Sequence, residues 1–283
     1  MNLEKMLAWK FPALEHTITA RDCMLYALGV GVGARADSDE DLQFTFEEGL
    51  KVFPAMVNVI AHPGAWIKEP ELGIDWVRIL HGEQSFAIHG PLVPGRTYTG
   101  AYQVTDVVDK GPGKGAMLYL RKTLTDKENG EVVSTVTSTY VLRGDGGCGG
   151  TSQSAPTPRA LPERAADRTI SLTTLPQAGL IYRLSGDYNP IHASPAIARK
   201  AGFDKPILHG LCTMGVATRA LLQGACRDDP HKLRSLSLRF SAPVYPGETL
   251  QTELWKESGG VSFRTTAVER QVIVLNNGWA DII

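Results

Sequence analysis

Residues 182–215 read YRLSGDYNPIHASPAIARKAGFDKPILHGLCTMG, and this stretch decides our interpretation of the fold and its chemistry. It places a carboxylate (Asp187), an amide (Asn189) and an imidazole (His192) within six residues. The Gly, Asn and Pro residues around them exclude a regular helix or strand. One interpretation is a tight turn in which Asp187 caps the next helix. The other is a carboxylate and an imidazole that share one water for proton transfer.

An apolar helical run begins at the His-Gly pair of this stretch. Apolar residues recur at spacings of three and four, which predicts a helix with a broad apolar stripe over residues 209–222. Backbone N–H groups at the start of a helix suit a developing oxyanion. Gly210 has no side chain, so a bulky carbonyl can approach its N–H closely. The alternative is that Gly210 is an ordinary helix cap and that His209 is packed in the core.

Outside this stretch, the chain divides at a segment of different composition. Residues 144–168 (GDGGCGGTSQSAPTPRALPERAADR) are rich in Gly, Ser and Pro, which is typical of a linker. The parts on either side, 1–143 and 169–283, resemble each other. PLVPGRTY at 91–98 matches PVYPGETL 152 residues further on, and YALGVG at Tyr26 matches YRLSGD 156 residues further on. We interpret this as a duplicated fold.

Both halves have the same predicted order of elements. An early helix and a second, longer helical run precede several strands with period-two patterning, which indicates an α+β class rather than alternating βαβ units. An antiparallel sheet wrapped around a long central helix fits this order. The predicted helices are 21–28, 52–61, 176–184 and 209–222. The predicted strands are 84–89, 98–108, 116–125, 132–142, 233–240, 249–256, 261–269 and 272–275.

Composition excludes several classes of function. The 283 residues carry a formal net charge of −1, which gives no indication of a nucleic-acid-binding surface. There is no apolar run of membrane-spanning length and no clear secretory signal. The four cysteines lack CxxC spacing, which favours a reducing, cytoplasmic location and argues against a metal site.

Several segments of the chain resemble those of a known family. YRLSGDYNPIH followed by LHGLCTMG is similar to the hydratase 2 motif of MaoC-like (R)-specific enoyl-CoA hydratases, and RFSAPVYPGETL is similar to the strand and turn after it. YALGVG, FPAMVNVIAHPG and HGEQSFAIHGPLVP resemble the degenerate N-terminal repeat of the two-repeat members. The resemblance implies a double hotdog: a degenerate repeat in 1–143, a linker in 144–168 and a catalytic repeat in 169–283.

The resemblance also implies roles for individual residues. Members of this family add water across the 2,3 double bond of a trans-enoyl-CoA, using the Asp and His of the motif, and need no cofactor besides the CoA thioester substrate. The catalytic residues would be Asp187, His192, Asn189 and Gly210. The substrate contacts would be His81, Gly82, Lys110, Tyr188, Pro190, Ile191 and Phe240.

Three hypotheses follow for this chain. The first is an (R)-specific 2-enoyl-CoA hydratase working in either direction, with one active site per chain because the Asp-x-Asn-Pro-x-His motif is absent from the first half. The second is an acyl-CoA thioesterase on a similar fold, and the third is a non-catalytic acyl-CoA-binding subunit. We expect a homodimer or a pseudo-dimeric monomer, with no nucleic-acid or membrane partner.

Overall fold

The computed structural model describes residues 1–35, 37–150 and 156–283. The α-helices are α1 (Leu3–Leu7), α2 (Ala20–Gly29), α3 (Asp39–Thr45), α4 (Ala178–Tyr182), α5 (Pro195–Lys200) and α6 (Gly210–Ala225). The strands are β1 (Leu14–Thr17), β2 (Ile79–Ile88), β3 (Thr97–Asp109), β4 (Ala116–Asp126), β5 (Val132–Leu142), β6 (Arg168–Thr173), β7 (Leu233–Phe240), β8 (Thr249–Glu257), β9 (Gly260–Ala267) and β10 (Val272–Ile282). Short 3₁₀ helices span Pro54–Asn58, Trp66–Lys68, Pro70–Leu72, Trp76–Arg78, Arg183–Ser185, Pro190–His192 and Pro230–Lys232.

All ten strands form one sheet with an approximate two-fold symmetry. The order is β1-β3-β4-β5-β2-β7-β10-β9-β8-β6, so the second five strands repeat the first five in reverse. The strands β2 and β7 pair antiparallel at the centre, where Ser85 lies opposite Ser237. These serines are 152 residues apart, the same offset that relates the repeated Pro-Gly turns. The predicted α+β class with antiparallel sheets is confirmed.

In the second half, the sheet encloses the long helix α6. This helix spans 16 residues, and most of its side chains are buried. Close packing depends on small residues: a Cβ added to Gly224 would lie 2.3 Å from Leu254 of β8, and one added to Gly215 would lie 2.4 Å from Val30. The helix therefore forms the centre of the main core, as the apolar spacing of 209–222 predicts.

In the first half, the corresponding helical segment is much shorter than predicted. The run 52–61 forms only a five-residue 3₁₀ helix, Pro54–Asn58. Ala61 then adopts φ 52°, the left-handed region that ends helices, and a proline follows at 63. A stretch of β-branched residues before it also weakens a helix. Apolar content alone does not reveal this early end.

Two edge strands were not predicted. The strand β1 pairs with β3, and β6 pairs with β8, so each half gains an outer strand. The strand β6 begins at the last residue of the predicted linker. The described parts of that linker contact both halves: the Gly147 and Gly149 N–H groups donate to Asp109 at 2.8 and 2.9 Å, and the Trp255 indole donates to the Arg164 carbonyl. Residues 151–155 lie outside the described residues, and the division at 144–168 stays a prediction. No helix in the described ranges is long and apolar enough to cross a membrane.

Candidate active site

Two turns, each closed by a hydrogen bond from a main-chain N–H to a side-chain oxygen, shape the loop that carries the Asp-x-Asn-Pro-x-His motif. Gly186 redirects the chain after α4 with φ 121°. The Asp187 Oδ1 then accepts the Asn189 N–H at 3.0 Å, and the Asn189 Oδ1 accepts the Ile191 N–H at 3.2 Å, which opens the 3₁₀ helix Pro190–His192. The turn interpretation and the catalytic interpretation of this segment are therefore compatible, because turn bonds among the motif residues orient the loop.

The His192 ring has a defined tautomer. Its Nδ1 lies 2.8 Å from the Ile207 carbonyl oxygen, so Nδ1 carries the proton and Nε2 keeps its lone pair. Burial lowers the pKa of His192, while the Ile207 carbonyl and the Asp187 charge act against that shift. The imidazole is consequently neutral near pH 7, with Nε2 able to bind the proton of a water.

The His209 side chain joins this pair, which the sequence did not predict. Its ring stacks on His192 with centroids 3.7 Å apart, and its Nε2 donates to the Asp187 main-chain oxygen at 3.1 Å. The ring is only 1% exposed, and its Nδ1 has no hydrogen-bond partner within the described structure. Burial and the neighbouring His192 lower the pKa of His209 to about 4. The only sequence signal for it was its place beside Gly210.

These three residues bring together groups of the metal-ligand type. One atom each from Asp187, His192 and His209 lies within 4.8 Å of the others. The two imidazole planes are stacked at 27°, and each ring uses one nitrogen in a hydrogen bond to a main-chain oxygen. A metal-free site stays a prediction.

Gly210 opens α6 beside this pair. No described side chain caps the first turn of the helix, which leaves its N–H groups available to a ligand. A Cβ on Gly210 would lie 3.2 Å from the Phe240 ring, a tight contact that would require the ring to shift. The Phe240 ring in turn packs against His81, with centroids 4.8 Å apart. A carbonyl oxygen at this helix start would be polarised by the main chain.

Eight of the eleven predicted residues meet at one cavity of about 650 Å³, which both halves line. The predicted residues that line it are His81, Gly82, Asp187, Asn189, Ile191, His192, Gly210 and Phe240. The other three predicted contacts lie elsewhere: Lys110 is exposed after β3, Tyr188 is 57% exposed, and Pro190 begins a 3₁₀ helix. Their contact with substrate stays a prediction.

Hydrogen bonds through the side-chain amides of Gln84 and Asn58 hold His81 in place. A β-bulge falls at Gly82, where a Cβ would meet Val141 at 2.9 Å, and the bulge changes the direction of the strand next to His81. The His81 Nε2 and the Gln84 Oε1 are 2.8 Å apart, and the Gln84 amide donates to Asn58 at 2.8 Å. Burial lowers the pKa of His81 to about 4, so this ring is neutral and packs as a wall of the cavity.

The first half supplies one arm of the cavity, with polar residues that the sequence analysis missed. Lys122 is 2% exposed, and its Nζ donates to the carbonyls of Val57, Asn58 and Ile60 at 2.6, 3.2 and 2.8 Å. Burial lowers its pKa to about 7. The other lining residues of this arm include Leu120, Tyr102, Val136, Ser138 and Tyr140. The sequence signal that could have revealed Lys122 is a lysine within a strand of alternating apolar residues.

Comparison with known proteins assigns the chain to a family. Residues 157–278 match the MaoC like domain, and residues 16–144 match the MFE-2 hydratase 2 N-terminal domain. The chain is 41% identical to 3-hydroxyacyl-thioester dehydratase Y of Mycobacterium tuberculosis, over 87% of this chain and 85% of that protein. The chain belongs to the MaoC-like family. This confirms the resemblance that the motif indicated.

Other relatives of this MaoC-like protein cover almost all of its length. The peroxisomal enoyl-CoA hydratase 2 of Arabidopsis thaliana is 35% identical over 99% of this chain and 95% of its own. The crystal structure of a MaoC-like dehydratase from Phytophthora capsici has a TM-score of 0.87 at 35% identity, covering 100% and 98% of the two chains. A Mycobacterium tuberculosis protein described as a double hotdog fold has a TM-score of 0.58 at 17% identity, over 96% of each chain. The double hotdog is therefore confirmed.

Proposed function

We propose that this MaoC-like protein is an (R)-specific 2-enoyl-CoA hydratase, a hydro-lyase that adds water reversibly to trans-2-enoyl-CoA. The observation that carries the proposal is the meeting of Asp187 and His192 beside the uncapped start of α6, inside one cavity. The names of full-length relatives, such as enoyl-CoA hydratase 2, support the same reaction.

The proposed chemistry uses a single water and one proton shared by the pair. The Gly210 N–H polarises the thioester carbonyl, which makes the β-carbon electrophilic. The water oxygen bonds to that carbon while the pair takes a proton from the water, and the pair then gives that same proton to the α-carbon. The double bond becomes a single bond, and the pair regains its starting proton count. The acid and base roles are assigned to Asp187 and His192 as a pair.

The cavity shape supports a long or bulky acyl group. Tyr102 of β3, Leu120 of β4 and Ser138 of β5 line the cavity in the half that has only the short 3₁₀ helix Pro54–Asn58. At another point of the lining, exposed Arg143 follows the end of β5, where its guanidinium would meet a CoA phosphate. No cofactor enters this mechanism, since the thioester itself supplies the activation.

Two substitutions test the proposal directly. We expect Asp187→Asn and His192→Ala each to lower the hydration of crotonyl-CoA and decenoyl-CoA by roughly 10²- to 10⁴-fold, as loss of a general acid or base does. The measurement is the decrease of enoyl-thioester absorbance, with chiral analysis of the 3-hydroxyacyl product.

The matched controls are Asp204→Asn and His231→Ala, which change exposed residues outside the cavity lining. They should keep full turnover and an unchanged melting temperature. Free thiol release without loss of the enoyl band would indicate a thioesterase instead. Binding of acyl-CoA in calorimetry without any turnover would indicate a non-catalytic subunit, and either result would reject the hydratase.

A cytoplasmic location and a homodimeric or monomeric state form the rest of the proposal. The internal pseudo-dimer of β2 and β7 already supplies the paired hotdog arrangement within one chain. Light scattering after gel filtration gives the state in solution. Fractionation of cells that produce the full chain gives the compartment.

A further inference from the structure

We propose that His209 is a positioning residue, which holds the His192 ring and the Asp187 main chain in one fixed arrangement for proton transfer. The inference deepens the proposed hydratase function and rests on it. Its basis is a pair of contacts of one buried imidazole: a face-to-face stack on His192 and a hydrogen bond to the Asp187 carbonyl.

One short segment supplies three elements of the site. The Ile207 carbonyl oxygen fixes Nδ1 of His192, the His209 ring covers one face of His192, and Gly210 provides the N–H at the helix start. Residues 207–210 thus link the proton-transfer group to the thioester-binding group through four consecutive residues. A displacement of this segment would move both groups together, so their separation is set locally rather than by the distant sheet.

The tautomer of His209 follows from its partners. Its Nε2 donates to a carbonyl, so the lone pair is on Nδ1, which is buried and has no partner in the described structure. A phenylalanine would fill the same space without a buried unpaired nitrogen, so packing alone does not account for a histidine. The Nε2 bond to Asp187 does account for it, since it connects the two halves of the catalytic pair.

The charge of His209 suits this role. Buried at the edge of the cavity and stacked on another imidazole, it stays neutral across the working range because its pKa lies near 4. The groups that face it are His192, Asp187, Tyr182 and Arg183. A neutral ring allows His192 to accept a proton during the reaction, whereas a second positive charge 3.7 Å away would oppose that step.

Three variants separate the two contacts. His209→Phe keeps the stack and loses the donor, His209→Gln keeps a donor and loses the stack, and His209→Ala loses both. We expect kcat to fall about tenfold in each single-contact variant and about 100-fold in His209→Ala, with KM changed less than twofold. His231→Phe, an exposed change, should alter neither constant.

The pH profile distinguishes positioning from a purely structural role. In His209→Ala, water reaches His192, so the burial that lowers its pKa is relieved and the acid limb of kcat/KM moves to higher pH. In His209→Phe the ring still covers His192, and the limb should stay in place. NMR titration of the His192 ring nitrogens reports the same shift without catalysis.

The outcomes assign failure to one proposal or the other. If the wild-type protein hydrates enoyl-CoA and His209→Ala leaves both the acid limb and the NMR titration unchanged, positioning by His209 is rejected. If the variants lose only thermal stability, with kcat intact, the role is structural and the inference is equally rejected. If the wild-type protein shows no hydration while the His192 titration still shifts, the proposed function fails but the arrangement stands.

Discussion

Tyr102 and Leu254 lie at equivalent places in the two repeats, 152 residues apart, yet they contact different things. Leu254 pairs with Phe263 on the next strand and packs under Gly224 of α6. Tyr102 pairs instead with Lys122, and among the described residues the first half has only the short 3₁₀ helix Pro54–Asn58 in place of a long helix. The same sheet position is apolar where a helix covers it and polar where the helix is missing.

The polar side chains of the first repeat bond to the main chain that ends its short helix. The Tyr102 hydroxyl donates to the Ala61 carbonyl at 2.9 Å, beside the three carbonyls held by Lys122. Carbonyls at a helix end need donors, which further helical turns or capping groups provide. The sheet supplies these donors here, so the helix can end early and leave an open arm of the cavity without orphaned polar groups.

The comparison of the two repeats depends most on the start of α6. Gly210→Ala is the strongest single test of that comparison. The added Cβ would lie 3.2 Å from the Phe240 ring, in the space where a thioester oxygen would approach the N–H. We expect kcat/KM for enoyl-CoA to fall about 100-fold, because the methyl group would hinder the thioester oxygen from reaching the N–H, with an effect similar to the loss of one oxyanion donor. Steady-state kinetics on crotonyl-CoA measures it.

The control for Gly210→Ala is Gly90→Ala. A Cβ at Gly90 would lie 3.5 Å from Val133, an ordinary contact outside the cavity lining, so activity should be retained. Near-normal turnover in Gly210→Ala would show that the helix start does not bind the thioester. The two repeats would then differ in shape but not in their use of a helix start.

Lys122→Met tests the polar substitute for the missing helix. The change leaves three buried carbonyls without their donor, which should lower the free energy of unfolding by about 2 kcal/mol at pH 7. The pKa of Lys122 is about 7 in the folded protein and about 10.4 in an unfolded chain. The unfolded state therefore binds more protons between these values, so this lysine makes stability rise with pH from about 7 to about 10.

Urea unfolding at pH 7 and pH 9 measures both effects. The rise between these pH values should shrink in Lys122→Met, while Lys114→Met, a change on the exposed β3–β4 loop, should keep it. The free energy of unfolding could instead rise equally between pH 7 and pH 9 in the wild-type protein and both variants. That result would mean that other groups cause the rise, and that burial does not destabilise the charged form of Lys122.

The smallest expected effect concerns acyl-chain length. Ser138→Leu adds bulk within the arm of the cavity that the short helix leaves open. We expect kcat/KM for decenoyl-CoA to fall about tenfold, with crotonyl-CoA changed less than twofold, because only the longer chain reaches the arm. Thr137→Leu on the same strand points to the opposite face and serves as control. Equal losses on both substrates would place the acyl chain elsewhere.

Sequence patterns predicted the parts of this fold that local rules control. The strands 132–142 and 233–240 were predicted at their observed bounds, since alternation and turn residues define them. The long helix over 209–222 followed from its apolar spacing. The Asp187, Asn189 and His192 triplet was found because a carboxylate and an imidazole stand close together within a segment of turn-forming residues.

What the sequence could not show depends on contacts between distant residues. The early end of the helix near Ala61 relies on Lys122, more than 60 residues away. The role of His209 depends on a stack with His192 across a loop, which no local spacing encodes. Lys110 and Tyr188 were named by resemblance, and the structure places both outside the cavity lining.

The central pairing of β2 with β7 has a consequence for how such a protein can diversify. In a dimer of identical subunits, any substitution appears on both sides of the symmetry axis. Here the axis passes between Ser85 and Ser237 of one polypeptide, so each side mutates independently. One side can specialise in bond making and the other in shaping the chamber, in a permanent one-to-one ratio guaranteed by a single translation product.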